Sequence, residues 1–137
     1  MKYNIPKIVR AVALTEFAPE LVHDDGSPAV VQVWVNPPTA RMTHYYDLSR
    51  EGTAAIVLLK AAEGDKAAAV AEINRVGGEL SALFAELWSQ HADPATHWSV
   101  ADVNEVANSD ANPALYGWLT RRTLALIGEY RSGLRKN

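Results

Sequence analysis

His91, Asp93 and His97 stand within seven residues of one another, and imidazole–carboxylate sets of this kind serve metal sites and proton transfer alike. Two-histidine metal motifs fix their ligands on a helix face, with a glutamate base in the hydrolytic ones. Here Pro94 makes the stretch a loop and no glutamate accompanies it. His44 and Asp47 are three apart and can meet on one helix face. With Tyr45 and Tyr46 between them, that face reads as a binding surface rather than a catalytic dyad, which needs a third partner and a cleft. Gly77-Gly78 is followed by neither Lys-Ser nor Lys-Thr, so it is no phosphate loop. Asn108-Ser109-Asp110 with Arg121 makes no nucleophile arrangement, and the absence of cysteine removes disulfides, thiolate catalysis and thiolate zinc sites. The sequence assigns no catalytic residue, no metal ligand and no cofactor.

What the chain offers instead is apolar and aromatic surface. In Val30-Val31-Gln32-Val33-Trp34-Val35, Val31, Val33 and Val35 share one strand face, and Gln32 and Trp34 share the other. The valine row is expected to take a helix. A tryptophan on the opposite face needs a cover, either another stretch of the chain or another protein. Aromatic anchors dominate protein–protein hot spots, which makes Trp34, with Val33 and Val35 beside it, a candidate partner contact. Tyr45 and Tyr46 are further candidates. So are Arg121 and Arg122, which with Arg131, Arg135 and Lys136 form a basic region near the end of the chain. Such a region is either solvated charge favoured by a helix dipole or a patch for an acidic protein surface. Trp88 and Trp118 fall on apolar helix faces and read as core; Trp98 sits at a helix entry, where it can staple loop to helix.

The elements that position these residues follow from periodicity and punctuation. Lys7 to Leu14 alternates as a strand. A connection from Thr15 to Pro28 holds Phe17, Leu21 and Val22, which can pack as a short extra element, and the turn signal Asp24-Asp25-Gly26-Ser27-Pro28. Pro37-Pro38 ends the second strand. Thr39 then caps a helix that Gly52 interrupts, with a resumption from Thr53 to Ala62. Gly64-Asp65 is a stop followed by a new cap. The longest apolar stripe runs through Val70, Ile73, Val76, Leu80, Leu83, Phe84, Leu87 and Trp88. Gly77-Gly78 within it implies a kink or a break, although a close backbone approach also explains such a pair. Ser99 and Asp102 resemble a capping pair for a short helix to about Ala107. Asn112-Pro113 opens a last helix, expected to stop near Gly133.

These readings predict an α+β fold: a short N-terminal antiparallel β-hairpin followed by a mainly α-helical bundle of about four to five helices. The expected organisation is a single domain over 1–137, β-rich over residues 1–38 and helical over residues 39–137. A chain of 137 residues with 48% hydrophobic and 21% charged residues can bury one core. The net charge of −3 argues against nucleic acid as the main partner. The longest apolar run, Ala54 to Leu59, is six residues, against the roughly 20 of a membrane span. The N-terminus lacks the apolar core of a secretory signal, so the expected location is the cytoplasm.

The order of features resembles the tail assembly chaperones of long-tailed bacteriophages. The likeness is carried by the β-rich start, the Val33-Trp34-Val35-Asn36-Pro37-Pro38 junction, the aromatic segment from Leu87-Trp88 through Trp98, and the two helices at Ser99–Ala107 and Leu115–Leu126. It covers most of the chain as a pattern, without a motif that stands alone. The resemblance implies a largely helical, non-enzymatic assembly factor acting in the host cytoplasm. Its partners would be the tape measure protein and tail tube subunits, and it could form a homo-oligomer. It also implies a longer product made by ribosomal frameshifting, with which the closing Lys136-Asn137 is compatible. A structural tail or connector protein that forms a ring is the competing expectation.

Overall fold

A computed structural model describes residues 5–61, 63–89, 97–108 and 114–136, with side chains to residue 134. Among the described residues the order is β1 (Val9–Ala13), a 3₁₀ turn (Leu14–Glu16), β2 (Val30–Trp34), α1 (Thr39–Lys60), α2 (Lys66–Leu87), β3 (Trp88–Ser89), α3 (Val100–Ala107) and α4 (Leu115–Lys136). The α+β class is the expected one. Contacts divide the chain into two compact units: Met1–Pro37 with Phe84–Asn137, and Pro38–Leu83. The first boundary falls at the Pro37-Pro38 pair. The second lies inside α2, so the last two helices belong with the sheet.

In the sheet unit the strands run β1-β2-β3, all antiparallel. Val12 faces Val31, and Val33 faces Trp88 across the ladders. Alternation works as the sequence implies: Val31, Val33 and Val35 are buried, whereas Gln32 and Trp34 keep partial exposure. The connection between β1 and β2 contains the 3₁₀ turn and a single bridge between Val22 and Pro28. At its tip the Asp25 carboxylate accepts from the Ser27 N–H at 2.9 Å and from the Ser27 hydroxyl at 2.6 Å. Those bonds hold the Asp25 carboxyl below its usual range. Gly26 takes a φ of +84° there, a conformation that side chains disfavour.

The third strand was not legible in the apolar stripe, which carries Trp88 as a helical residue. Instead α2 stops at Leu87, and two extended residues pair with β2. Trp88 is fully buried, with ring centroids 5.1 Å from Phe84, 5.5 Å from Trp98 and 6.2 Å from Tyr116. Its indole N–H donates to the Thr123 hydroxyl at 2.8 Å, and that hydroxyl donates to the Leu119 carbonyl at 2.8 Å. A buried indole thus has the partner it needs. Trp98 is stapled to the same cluster, its backbone N–H donating to the Trp88 carbonyl at 2.8 Å. Trp118 is only half-buried, against Phe17 at 5.6 Å.

Ser99 and Asp102 form a reciprocal capping box at the start of α3, and α3 packs on α4. The last helix does not stop near Gly133 but runs to Lys136. A glycine ends a helix by turning left-handed, and positive φ among the described glycines belongs only to Gly26 and Gly64. The His91–Pro94 loop and the Asn112-Pro113 start signal lie outside the described residues, as does Ala62.

The second unit is a two-helix hairpin, and three local expectations change there. Thr39 does not cap α1: the cap position is Pro38, which has no side-chain bond to offer. Gly52 does not interrupt α1, which is continuous over 22 residues. A Cβ at Gly52 would lie 3.2 Å from a Val76 methyl, so the glycine lets the two helices approach. Gly77-Gly78 does not break α2, which is continuous over 22 residues. Nothing lies within 4 Å of a Cβ built at either position, so close approach is not their role. Each costs roughly 1 kcal/mol of helix propensity, which burial of Val76 and Leu83 on the same helix outweighs. The turn itself is as expected: Gly64 has a φ of +134° and the Asp65 carboxylate accepts from the Ala68 N–H at 3.0 Å. Lys66 adds a cap that local patterning does not reveal, donating to the Leu59 and Ala61 carbonyls at 2.7 and 2.9 Å. No helix among the described residues is long and apolar enough to cross a membrane.

Candidate binding surfaces

Local pairing takes up several of the titratable groups the sequence singles out. Asp47 pairs with Arg50 on α1, and His44 is exposed on the same helix. The His97 ring nitrogen Nδ1 lies 2.7 Å from the Trp98 carbonyl, fixing that nitrogen as the N–H. His91 lies outside the described residues. No group of three histidine, cysteine or acidic side chains that could hold a metal occurs among the described residues.

The expected partner contacts divide between the two units. Val33 and Val35 are both 0% exposed; they are core, and a partner cannot reach them. This corrects their placement beside Trp34 as contacts, and the reason is the alternation itself, which turns them inward. Trp34 keeps partial exposure. Its indole N–H donates to the Asn36 side-chain oxygen at 2.9 Å, and the Lys7 ammonium sits 4.3 Å from its ring centroid. Asn36 is a residue that sequence reasoning treated only as part of the junction that ends the second strand. Its oxygen also accepts from the Ile8 N–H at 2.7 Å, and its NH₂ donates to the Pro6 carbonyl at 2.9 Å. One side chain thereby ties the segment before β1 to the end of β2. Arg122 reaches Glu16 at 3.7 Å, and Arg121 is exposed. In the hairpin unit, Tyr45 and Tyr46 meet edge to face at 5.4 Å, with Tyr46 exposed.

Two concavities have useful size. In the sheet unit a cleft of about 520 Å³ is lined by Leu14, Val30, Val31, Trp98, Val106 and Leu115, with His23, Asp102 and Glu105 as its titratable groups. Asp102 is committed to the capping box. No serine, threonine or lysine lines the cleft among the described residues, so proton-transfer groups stand there without a nucleophile beside them.

The second concavity, about 440 Å³, runs along the seam of the hairpin. Each wall contributes residues at i, i+3, i+4 and i+7: Glu51, Ala54, Ala55 and Leu58 from α1, and Asp65, just before α2, with Ala68, Ala69 and Glu72 from that helix. That spacing keeps each set on one face. Ala55 and Ala69 form a buried floor, and Leu58 stands 54% exposed. Arg75 bonds Glu51 at 2.8 Å and also bonds Glu72 and Glu79. The Arg75 bond holds the Glu72 carboxyl below its usual range, and Glu72 and then Glu51 push the Arg75 guanidinium above its own. Around the rest of the hairpin, Ile56, Val57 and Val70 are 45%, 63% and 44% exposed.

Comparison with known proteins gives no match: no family model fits the chain, and no curated protein or solved structure is similar to it.

Proposed function

We propose that this protein is a non-enzymatic assembly factor for a bacteriophage tail, one that binds the tape measure protein and passes it to tail tube subunits in the host cytoplasm. The observation that carries the reading is the apolar surface left open on the hairpin unit, where Ile56, Val57, Leu58 and Val70 are all more than 40% exposed. Two helices can cover only one face of each other, and α1 carries aliphatic residues around more than that face. Surplus of this kind marks an interaction site. A tape measure is a long amphipathic helix that aggregates when bare, and helical apolar surface suits such a client. Tyr46, Trp34, Arg121 and Arg122 are secondary contacts on this reading. Co-expression with the tape measure candidate from the same gene neighbourhood tests it. A soluble complex is expected, lost on Val57→Glu with Leu58→Glu; a tape measure that stays insoluble beside the folded protein would refute the reading.

A second reading, a structural tail or connector component, is favoured by β1. Among the described residues that strand has a neighbour on one side only, and an open edge can extend a neighbour's sheet. Stable rings of the purified protein would select it.

A further inference from the structure

We infer that the seam groove of the hairpin is the seat of the client, and that it takes an amphipathic helix whose apolar stripe is flanked by lysine or arginine. This rests on the assembly-factor reading and adds to it a place and a charge preference. The seven-residue span on each wall makes a trough roughly 10 Å long, enough for about two turns of a third helix. Its alanine floor lets that backbone come close, and Leu58 offers a knob to pack between its side chains. Every charged residue lining the groove is acidic: Glu51, Asp65 and Glu72. Arg75 is shared among Glu51, Glu72 and Glu79, so one guanidinium faces three carboxylates. Lys66 is turned to the α1 carbonyls.

The acidic rim also argues against a second copy as the occupant. A two-fold contact would set this patch on itself, bringing its carboxylates face to face. By contrast, Ile56 and Val70 fall on the other side of the seam by helical phase and do not line the groove.

The test uses the full chain and three synthetic helical peptides sharing one Leu/Ala stripe, flanked by Lys, Gln or Glu. Binding is followed by peptide fluorescence anisotropy and by Ala and Ile methyl NMR shifts. The Lys peptide is expected to bind at least about tenfold tighter than the Glu peptide at low salt. That advantage should collapse near about 0.5 M salt, where screening is short-ranged. The Ala54 and Ala68 methyls should shift while the Ile56 methyl does not. Ala54→Leu with Ala68→Leu fills the groove at exposed positions and should abolish binding with the circular dichroism unchanged; Ile56→Ala should not. Equal binding of the three peptides, shifts confined to Ile56, or a dimer dispersed by the groove-filling pair would each overturn the inference. Should the tape measure bind the groove-filled variant as well as the wild type, the groove assignment fails and the assembly reading stands. Should the Lys peptide dock while no tape measure is captured, the reverse holds.

Discussion

The two units use different materials. In the sheet unit the interior is made of large side chains: Trp88, Phe84, Trp98 and Leu119 are each less than a tenth exposed. The indole of Trp88 and the amide of Asn36 have their hydrogen bonds met within the unit. In the hairpin unit Gly52, Ala55 and Ala69 stand among the inner residues beside Met42, Leu48, Val76 and Leu83, and aliphatic surface is left over. Large residues packed in this way fix one arrangement. Small residues bring helices close and leave apolar area that a third helix can cover. The contrast assigns scaffold to one unit and grip to the other.

Removing Trp88 should do the most damage. Trp88→Ala deletes the centre of the aromatic cluster, with an expected loss of about 3–5 kcal/mol in urea unfolding and collapse of the near-ultraviolet circular dichroism. If Trp88→Ala costs no more than Val57→Ala, the scaffold assignment is wrong. Next comes Asn36→Ala, which leaves the Ile8 N–H and the Trp34 indole without their acceptor; a cost of about 1–3 kcal/mol is expected. Hydrogen exchange should show it as loosening of residues 6–9, with the hairpin amides unchanged.

How much of this contrast was legible depended on the range of the interaction. The strand faces, the Asp25-Gly26 turn, the Gly64-Asp65 break and the Ser99–Asp102 box are set by residues within a few positions, and each stands where the sequence put it. Asn36 was missed because its partners Pro6 and Ile8 are about thirty residues away. β3 was missed because two residues are too few to break a helical stripe. The groove was missed because alanines read as filler until two helices are laid side by side. A signal for it did exist: Glu51-x-x-Ala54-Ala55 and Asp65-x-x-Ala68-Ala69 repeat the same pattern, and an antiparallel pair brings the two together.

Glycine placement gives a stabilising counterpart on the hairpin. At Gly77 and Gly78 a methyl group meets nothing, so Gly77→Ala and Gly78→Ala should each add about 1 kcal/mol of helix propensity and unfolded-state restriction. Gly52→Ala gains the same propensity but presses on Val76 at 3.2 Å, so it should gain less. A larger gain at Gly52 than at Gly77 would mean that the helices are not held at this spacing. Thermal melts of the three variants decide the order.

Arg75→Gln should have the smallest effect on folding and the most informative one on binding. The arginine is a surface residue, and exposed pairs contribute little to stability, so the melting temperature should hold. The Glu72 carboxyl titrates low because Arg75 bonds it, so in the variant its titration should move back up toward the ordinary glutamate range by carboxyl NMR. The sign follows from linkage: the Glu72–Arg75 contribution is present above the ordinary glutamate range and fades as pH falls through the lowered value. In Arg75→Gln that fading should vanish. With the shared cation gone, Glu51, Glu72 and Glu79 face solvent uncompensated, and the Lys-flanked peptide should bind tighter, with a steeper salt dependence. Weaker binding in this variant would make Arg75 itself a contact for the client and reverse the charge preference drawn from the rim.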